Sequence, residues 1–262
     1  MAVVVLLSDF GLEDPYVGLM HCVLAGISPS TRVVDFCHSV PAQDVEGGAW
    51  LLGSAVDYVP REAIVVGVVD PGVGSSRRSI LVQTERVFLV GPDNGLFTKW
   101  FEFDPPRTAW LLENQEFHLD RVSPTFHGRD IFAPVAAWLA EGKEPKYFGP
   151  KIPLKSLERL DLPPMRIHSD KIEGQILYAD SFGNLVTNIE RGRVPPGAKG
   201  PVRVCGKELP LLRSFSDVSM GAVLAYFGSM GLLEIARRQG SAADLLAARR
   251  GNRVQLFLGE GS

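Results

Sequence analysis

Cysteine is scarce in this chain, and a long hydrophobic run is missing. Cys22, Cys37 and Cys205 are odd in number and show no CxxC spacing, so neither a disulfide framework nor a zinc site is expected. The longest apolar stretches, such as residues 2–7, fall far short of the roughly 18 residues that cross a bilayer. Positive charge is not in excess. The 27 Lys and Arg stand against 30 Asp and Glu, a net of −3, so no field aimed at nucleic acid or an anionic membrane is present. No basic segment precedes the early VVVLL, so no secretory signal is expected and the cytoplasm is the expected compartment. With 45% hydrophobic and 22% charged residues the composition is globular, and 262 residues suffice for one large domain or two modest ones.

What is present has two textures. Strand-like and helix-like stretches alternate through residues 1–150. Residues 2–7, 32–36, 63–69, 79–84, 87–90 and 108–112 read as strands, and residues 16–27, 45–59 and 130–140 as helices. The β-branched run 63–69 is of the kind that fills a buried parallel strand. This alternation predicts an α/β domain with an open, doubly wound, largely parallel sheet. Five prolines between Pro145 and Pro164 then suggest a linker at 151–164. Short strand candidates follow in residues 165–262, at 174–180, 185–189, 202–205, 222–227 and 254–258, with only 242–248 looking helical. They predict a smaller, all-β, barrel-like domain.

In a doubly wound sheet, ligands bind outside the carboxyl ends of the strands. Three strand ends finish alike, in Ser8-Asp9-Phe10-Gly11, Asp70-Pro71-Gly72 and Pro92-Asp93-Asn94-Gly95. One such end is an ordinary turn, because Asp caps turns and Gly permits them. Three on one rim point to a binding site. The run from Asp70 to Arg77 holds a GxG but lacks the third glycine and leads into a strand, which excludes a dinucleotide fingerprint. It reads instead as a tight loop that returns Arg77 toward Asp70. A further group, Ser123-Pro-Thr-Phe-His127-Gly-Arg129-Asp130, precedes a helix. His127 there is either a satisfied loop histidine or a functional one, with Gly128 leaving room beside it and Arg129-Asp130 an ion pair or helix start. His38 has the same ambiguity, and His21, His118 and His168 carry no motif. Beyond the linker, Asn184 and Asn188 flank a strand in Asp180-Ser-Phe-Gly-Asn184, where Asn is unfavourable. The stretch from Ser229 to Arg237 reads as a strand pair joined at Gly231 or as a ligand rim.

SDFGLEDPYVG, VPAQDVEGGA, VVDPGVGSSRR, GPDNGLFT, TFHGRDIFAP, DSFGNLVTNI and GLLEIA occur in this order over most of the chain. Any one string is weak, but seven in order are specific. Together they resemble the S-adenosyl-L-methionine (SAM) hydroxide adenosyltransferase family, relatives of the fluorinating and chlorinating enzymes that use the same substrate. The resemblance implies an N-terminal α/β domain joined to a C-terminal β-barrel. It implies a homotrimer with each active site between one subunit's N-terminal domain and a neighbour's C-terminal domain. It also implies conversion of SAM and water into adenosine and methionine, with SAM as substrate and no cofactor or metal. The family's Asp-Arg-His set falls on Asp70, Arg77 and His127. Ribose contact falls on Asp9, and the methionine end and ribose on Asp14, Tyr16, Asn184 and Ser229. The adenine pocket falls on Phe215, Arg237 and Gln239, with Phe182 as a wall and with Met230 and Glu234 completing the substrate set. The halogenating relatives carry a tyrosine where Asp70 stands and, in the fluorinating enzyme, Tyr-Ser where His127-Gly128 stands. A carboxylate there repels a halide, whereas water needs a group to take its proton.

The chemistry points the same way. Attack at ribose C5′ expels a neutral thioether from a sulfonium, so no general acid is required and one base suffices. Arg77 stays protonated and cannot be that base, which leaves Asp70 or His127. Two other readings compete. The three strand-end Asp residues with His127 could form an oxygen-rich site of a divalent-metal nucleotidase or phosphoesterase. Alternatively, the chain could bind SAM or adenosine without turnover, although binding alone requires no base.

Overall fold

Val4, Val65, Val66 and Leu89 are fully buried, and they show why the apolar runs of the first half form the middle of a sheet covered on both faces. The computed structural model describes residues 2–198 and 200–259. The chain divides into two compact units, Met1–Asp161 and Leu162–Ser262.

The first unit runs β1 (Val3–Ser8), α1 (Tyr16–Ile27), β2 (Arg32–Cys37), α2 (Val45–Ala55), β3 (Ile64–Val68), β4 (Ser79–Gln83), β5 (Phe88–Pro92), α3 (Trp100–Phe103), β6 (Thr108–Leu111), α4 (Ala133–Ala140) and β7 (Lys151–Ile152). Its sheet has the order β2-β1-β3-β5-β4-β6-β7. Strands β2, β1, β3 and β5 pair in parallel, and the remaining pairings are antiparallel. The sheet is therefore largely parallel, with a meander at one edge. Alternation within β3 divides two cores. Ile64, Val66 and Val68 join Met20 and Leu24 of α1 and Val135 and Ala136 of α4 on one face. Val65 joins Leu52 and Ala55 of α2 and Trp100 of α3 on the other. This is the doubly wound α/β arrangement that the alternation of elements predicts.

The supposed linker is, for most of its length, part of this unit. Its β7 pairs with β6, Ala109 opposite Ile152, at the sheet edge where proline-flanked strands are tolerated. Leu157 is buried in the second core, and the amides of Glu158 and Leu160 donate to Asp93 and Thr98. Proline richness here marks short turns and an edge strand, so residues 151–161 do not link. A second difference is that the helix expected over 130–140 begins as a π turn, Gly128–Phe132, before α4.

The second unit runs β8 (Arg166–Ile167), β9 (Lys171–Ala179), β10 (Leu185–Glu190), β11 (Val202–Val204), β12 (Lys207–Leu209), β13 (Val223–Phe227), β14 (Leu232–Arg237), α5 (Ala242–Leu246) and β15 (Arg253–Phe257). Its antiparallel order is β12-β11-β15-β9-β10-β14-β13, with β8 beside β9. Leu211, just past β12, bridges to Ala225 of β13 and brings the two edges together, so the sheet is a nearly closed barrel. Ile172, Ile176, Leu185, Leu233 and Val254 fill it. GLLEIA is the second strand of the β13–β14 hairpin, turned at Gly231 with φ 71°.

The packing of Leu157 makes a stability prediction. Leu157→Ala lowers the free energy of unfolding by about 2–5 kcal/mol, the range for a leucine truncated inside a core. Urea denaturation measures this, and a change below about 0.5 kcal/mol, as for a surface position, would mean that the segment is a linker after all.

Candidate active site

Because β1, β3 and β5 are parallel neighbours, their carboxyl ends open on one edge. Asp70 lies two residues beyond β3. The chain then turns through Gly72 and Gly74 and re-enters the sheet as β4, which returns Arg77 onto Asp70. Gly74 has φ +77°, and a Cβ there would lie 2.4 Å from the carbonyl oxygen of Pro124, so the loop needs glycine at this point. Arg77 Nε donates to Asp70 Oδ1 at 3.0 Å and Nη2 to Oδ2 at 2.5 Å. Nη1 donates to the Arg78 carbonyl and to Ser79 Oγ, and Nη2 also lies 3.0 Å from His127 Nδ1. Five contacts thus occupy the five N–H groups of the guanidinium.

His127 immediately precedes the π turn, a local widening of the helix that recurs at functional sites. Asp130, fully buried inside that turn, accepts from the Ser123 amide and pairs with Arg129, so residues 123–130 are tied into one knot. Gly128 packs its Cα side against Phe10, Phe126 and Met20, each 3.4 Å from where a Cβ would sit. That is ordinary van der Waals contact, so these side chains fill the space beside Gly128.

A pocket of about 360 Å³ opens over this group, lined by Asp9, Phe10, Tyr16, Gln43, Asp70, Phe126 and His127 among others. Its size is that of small-molecule sites. Asp9 Oδ2 accepts the Gln43 amide at 2.8 Å, which leaves its second oxygen for a ligand. Phe10, Tyr16 and Phe126 form a three-ring cluster with centroids 5.3–5.7 Å apart. Of the residues expected in this unit, Asp9, Tyr16, Asp70 and His127 line the pocket and Arg77 lies directly behind it, while the exposed Asp14 does not line it. Asp93 is absent from the rim. It is buried, paired with Arg78 and bonded to the Glu158 amide, so the three-aspartate set behind the metal-dependent alternative is not assembled. Phe10, Gln43 and Phe126 belong to the segments SDFGLEDPYVG, VPAQDVEGGA and TFHGRDIFAP, but apolar rings and a turn glutamine give no chemical signal of their own in a sequence.

In the second unit the expected residues lie on β14 and in the turns near its two ends and are not gathered at one point. Asn184 is buried and donates to Asp180 in the turn before β10, where Phe182 is 78% exposed. Leu185 pairs with Ile235, so this turn lies toward the Arg237 end of β14, with Gly183 against Ser241. Arg237 Nε donates to the Gly221 carbonyl, and Gln239 holds φ 55°. Exposed Ser229 and Met230 sit in the hairpin turn at the opposite end of β14, roughly 17 Å away for a six-residue strand. Between them Glu234 is buried and accepts from Tyr226 at 2.5 Å, with Phe215 packed on the Tyr226 ring at 4.9 Å.

Comparison with known proteins agrees with this architecture. The model of the SAM hydroxide adenosyltransferase N-terminal domain matches residues 4–149, and that of the C-terminal domain matches residues 174–255. The chain is 44% identical to an (R)-S-adenosyl-L-methionine hydrolase of Thermus thermophilus, over 98% of this chain and 100% of the relative. It is 40% identical to one of Salinispora tropica, over 96% of each. The crystal structure of an uncharacterized conserved protein from Thermotoga maritima superposes with a TM-score of 0.89 at 34% identity, covering 96% of this chain and 98% of that one. The chain belongs to the SAM hydroxide adenosyltransferase family.

For this member of the SAM hydroxide adenosyltransferase family, the local electrostatics set the protonation states. Burial pushes the Asp70 carboxyl above its ordinary value, and Arg77 and His127 offset this only in part. Burial, and then the Arg77 cation, push His127 down against the pull of Asp70 and Asp130, so the imidazole is neutral near pH 7. Since an arginine only donates, Nδ1 of His127 accepts from Arg77 and the ring proton resides on Nε2.

Removing the cation makes a test of this balance. Arg77→Ala removes the cation paired with buried Asp70, which lowers the free energy of unfolding by about 3–5 kcal/mol at neutral pH. Burial then raises the Asp70 carboxyl against only His127 and the Gly72 amide. A folded-state value above the unfolded one contributes stability at low pH that is lost as pH rises through the folded value. The deficit against the wild-type chain therefore shrinks on acidification toward about pH 4, the ordinary carboxylate range. Urea unfolding at both pH values measures it, and a deficit independent of pH would contradict the assignment.

Proposed function

We propose that this protein hydrolyses SAM, in the (R) configuration at sulfur, to adenosine and L-methionine. The observation that carries the reading is the Asp70–Arg77–His127 contact beside a pocket of small-molecule size. Support for the epimer comes from the curated relatives at 44% and 40% identity, which are named for (R)-S-adenosyl-L-methionine. Water attacks ribose C5′ as the C5′–S bond breaks, and the bonding pair leaves with sulfur as a neutral thioether. One water proton is lost, first to the protein and then to solvent. Asp70 is the acceptor we assign. The Nδ1 lone pair of His127 already faces an Arg77 donor, whereas the Asp70 oxygens keep unused lone pairs. Its upward shift brings a carboxylate closer to the range in which a general base works best. The Nε2–H of His127 can then donate to the attacking oxygen, and Arg77 stabilises its hydroxide character. Because the leaving group is neutral, the step calls for no metal or cofactor.

Incubation of the protein with each sulfur epimer of SAM, with and without chelator, followed by chromatography, tests the reading. The expected products are adenosine and methionine from the (R) epimer at a rate unchanged by chelator. Formation of 5′-methylthioadenosine, dependence on added metal, or ligand binding without turnover would replace it.

We also propose a cytoplasmic homotrimer in which Phe182, Asn184, Phe215, Ser229, Met230, Arg237 and Gln239 of a neighbouring chain complete each pocket. The family resemblance supports this assembly, and a head-to-tail contact repeated three times makes three identical sites. The spread of these residues along β14 suits a long substrate. Three free cysteines suit a reducing compartment. Asp70→Ala is expected to lower turnover by ~10²–10⁴, the usual contribution of a positioned base. Mixing it with Asn184→Ala under subunit exchange is expected to restore activity above both parents, because some interfaces then pair two intact halves. Confirmed exchange with no gain would confine each site to one chain.

A further inference from the structure

A chain of polar groups runs from the surface at His21 and Asp35 to buried His38 and Ser8, beside the pocket but not lining it. Ser8 Oγ is 2.7 Å from His38 Nδ1, His38 Nε2 is 3.0 Å from Asp35 Oδ1, and the same oxygen is 2.8 Å from His21 Nε2. Ser8 and His38 are 1% and 4% exposed, and neither lines the pocket, so this Ser-His-Asp series has no access to a substrate for nucleophilic attack. Its reach is through the backbone. Ser8 Oγ accepts the Phe10 amide at 3.3 Å, and the His38 carbonyl accepts the Gly11 amide at 2.7 Å. Asp9 and Phe10, which do line the pocket, are therefore flanked by two restraints, the Ser8 hydroxyl on the Phe10 amide and the His38 carbonyl on the Gly11 amide.

We propose that Ser8, His38 and Asp35 are positioning residues for substrate binding, fixing Asp9 and Phe10 in the geometry that receives the ligand. The hydrogen-bond directions follow from the partners. A carboxylate only accepts, so His38 Nε2 donates to Asp35 and, in the neutral ring, Nδ1 accepts the Ser8 hydroxyl proton. That leaves the Ser8 lone pairs for the Phe10 amide. Each link orders the next, from His21 at the surface to the loop at the pocket edge. Burial would raise the Asp35 carboxyl, but the hydrogen bonds from the two histidines outweigh it and hold it below its ordinary value, as befits an ionised acceptor. The effect falls on binding because Asp70, Arg77 and His127 have no contact with the series in these bonds.

This inference rests on the proposed hydrolysis for its kinetic readout and has a second readout that does not. Ser8→Ala removes one oxygen from the series and is the least disruptive test. It is expected to raise KM about fivefold or more, the loss of one buried hydrogen bond, while kcat stays within about threefold of wild type. His38→Ala and Asp35→Ala shift KM in the same direction. Asp35→Asn, which keeps an accepting oxygen, restores KM to within about twofold of wild type. By hydrogen exchange, the Phe10 and Gly11 amides of Ser8→Ala open about tenfold faster, as for loss of a local restraint. Unchanged exchange and KM in a folded Ser8→Ala chain overturn the proposal, as does a fall in kcat at constant KM. A wild-type chain that fails to turn over SAM removes the hydrolase reading, and exchange at Phe10 and Gly11 then decides the positioning role alone.

Discussion

The ion pair between Asp70 and Arg77 is the constraint around which the first unit's site is built. Both side chains are about 95% removed from water, at 5% and 7% exposure, so the burial of each charge is offset by the other. The cost of burying a guanidinium is met by using every N–H, two on the carboxylate, two on the start of β4 and one on His127. Phe132, in the π turn, lies 5.6 Å from the guanidinium carbon and closes the apolar side. A shorter or more flexible cation could not join three elements in one plane. Loop, strand and π turn are thereby fixed relative to one another.

That shared cation also decides what the site can activate. A carboxylate and a neutral imidazole held by one arginine form a place where a water can lose a proton and where the resulting negative charge meets Arg77. A halide has no proton to lose and meets the Asp70 charge instead. Nucleophile selection thus follows from the residue types at the end of β3 and before the π turn. The wider architecture, which can host other chemistries, does not set it.

Most of the fold was legible because its signals are periodic. The strand of residues 63–69 and the helix of residues 16–27 announce themselves by apolar spacing, and parallel pairing follows from their alternation. The segment around Leu157 was misread because proline content signals a break in regular structure but says nothing of burial. One leucine in the core and two backbone bonds to Asp93 and Thr98 decide its membership, and these are tertiary facts. The Asp70–Arg77 contact was legible as a loop that turns back. Asp93 was not separable from Asp9 and Asp70 by sequence, since all three end strands in the same style. Only the positions of Arg78 and the Glu158 amide show that it is satisfied elsewhere. The role of His38 was hidden for the same reason. A lone histidine after a strand says nothing until Ser8 is known to lie across from it.

The register of the sheet links these two systems. Ser8 of β1 pairs with Val68 of β3, so Asp9 and Asp70 emerge from adjacent parallel strands, Asp70 one residue further along. Neighbouring strands lie about 4.8 Å apart. Asp9 and Asp70 therefore lie close together on one rim of the pocket. A shift of the β1–β3 register by one residue would carry the apolar side chains of β1 out of their cores and change how far Asp9 stands from Asp70 along the sheet. The hydrophobic alternation of β1, with Val4 and Leu6 on one core and Val5 and Leu7 on the other, prevents that shift. The spacing between Asp9 and Asp70 is therefore enforced by apolar packing below the site.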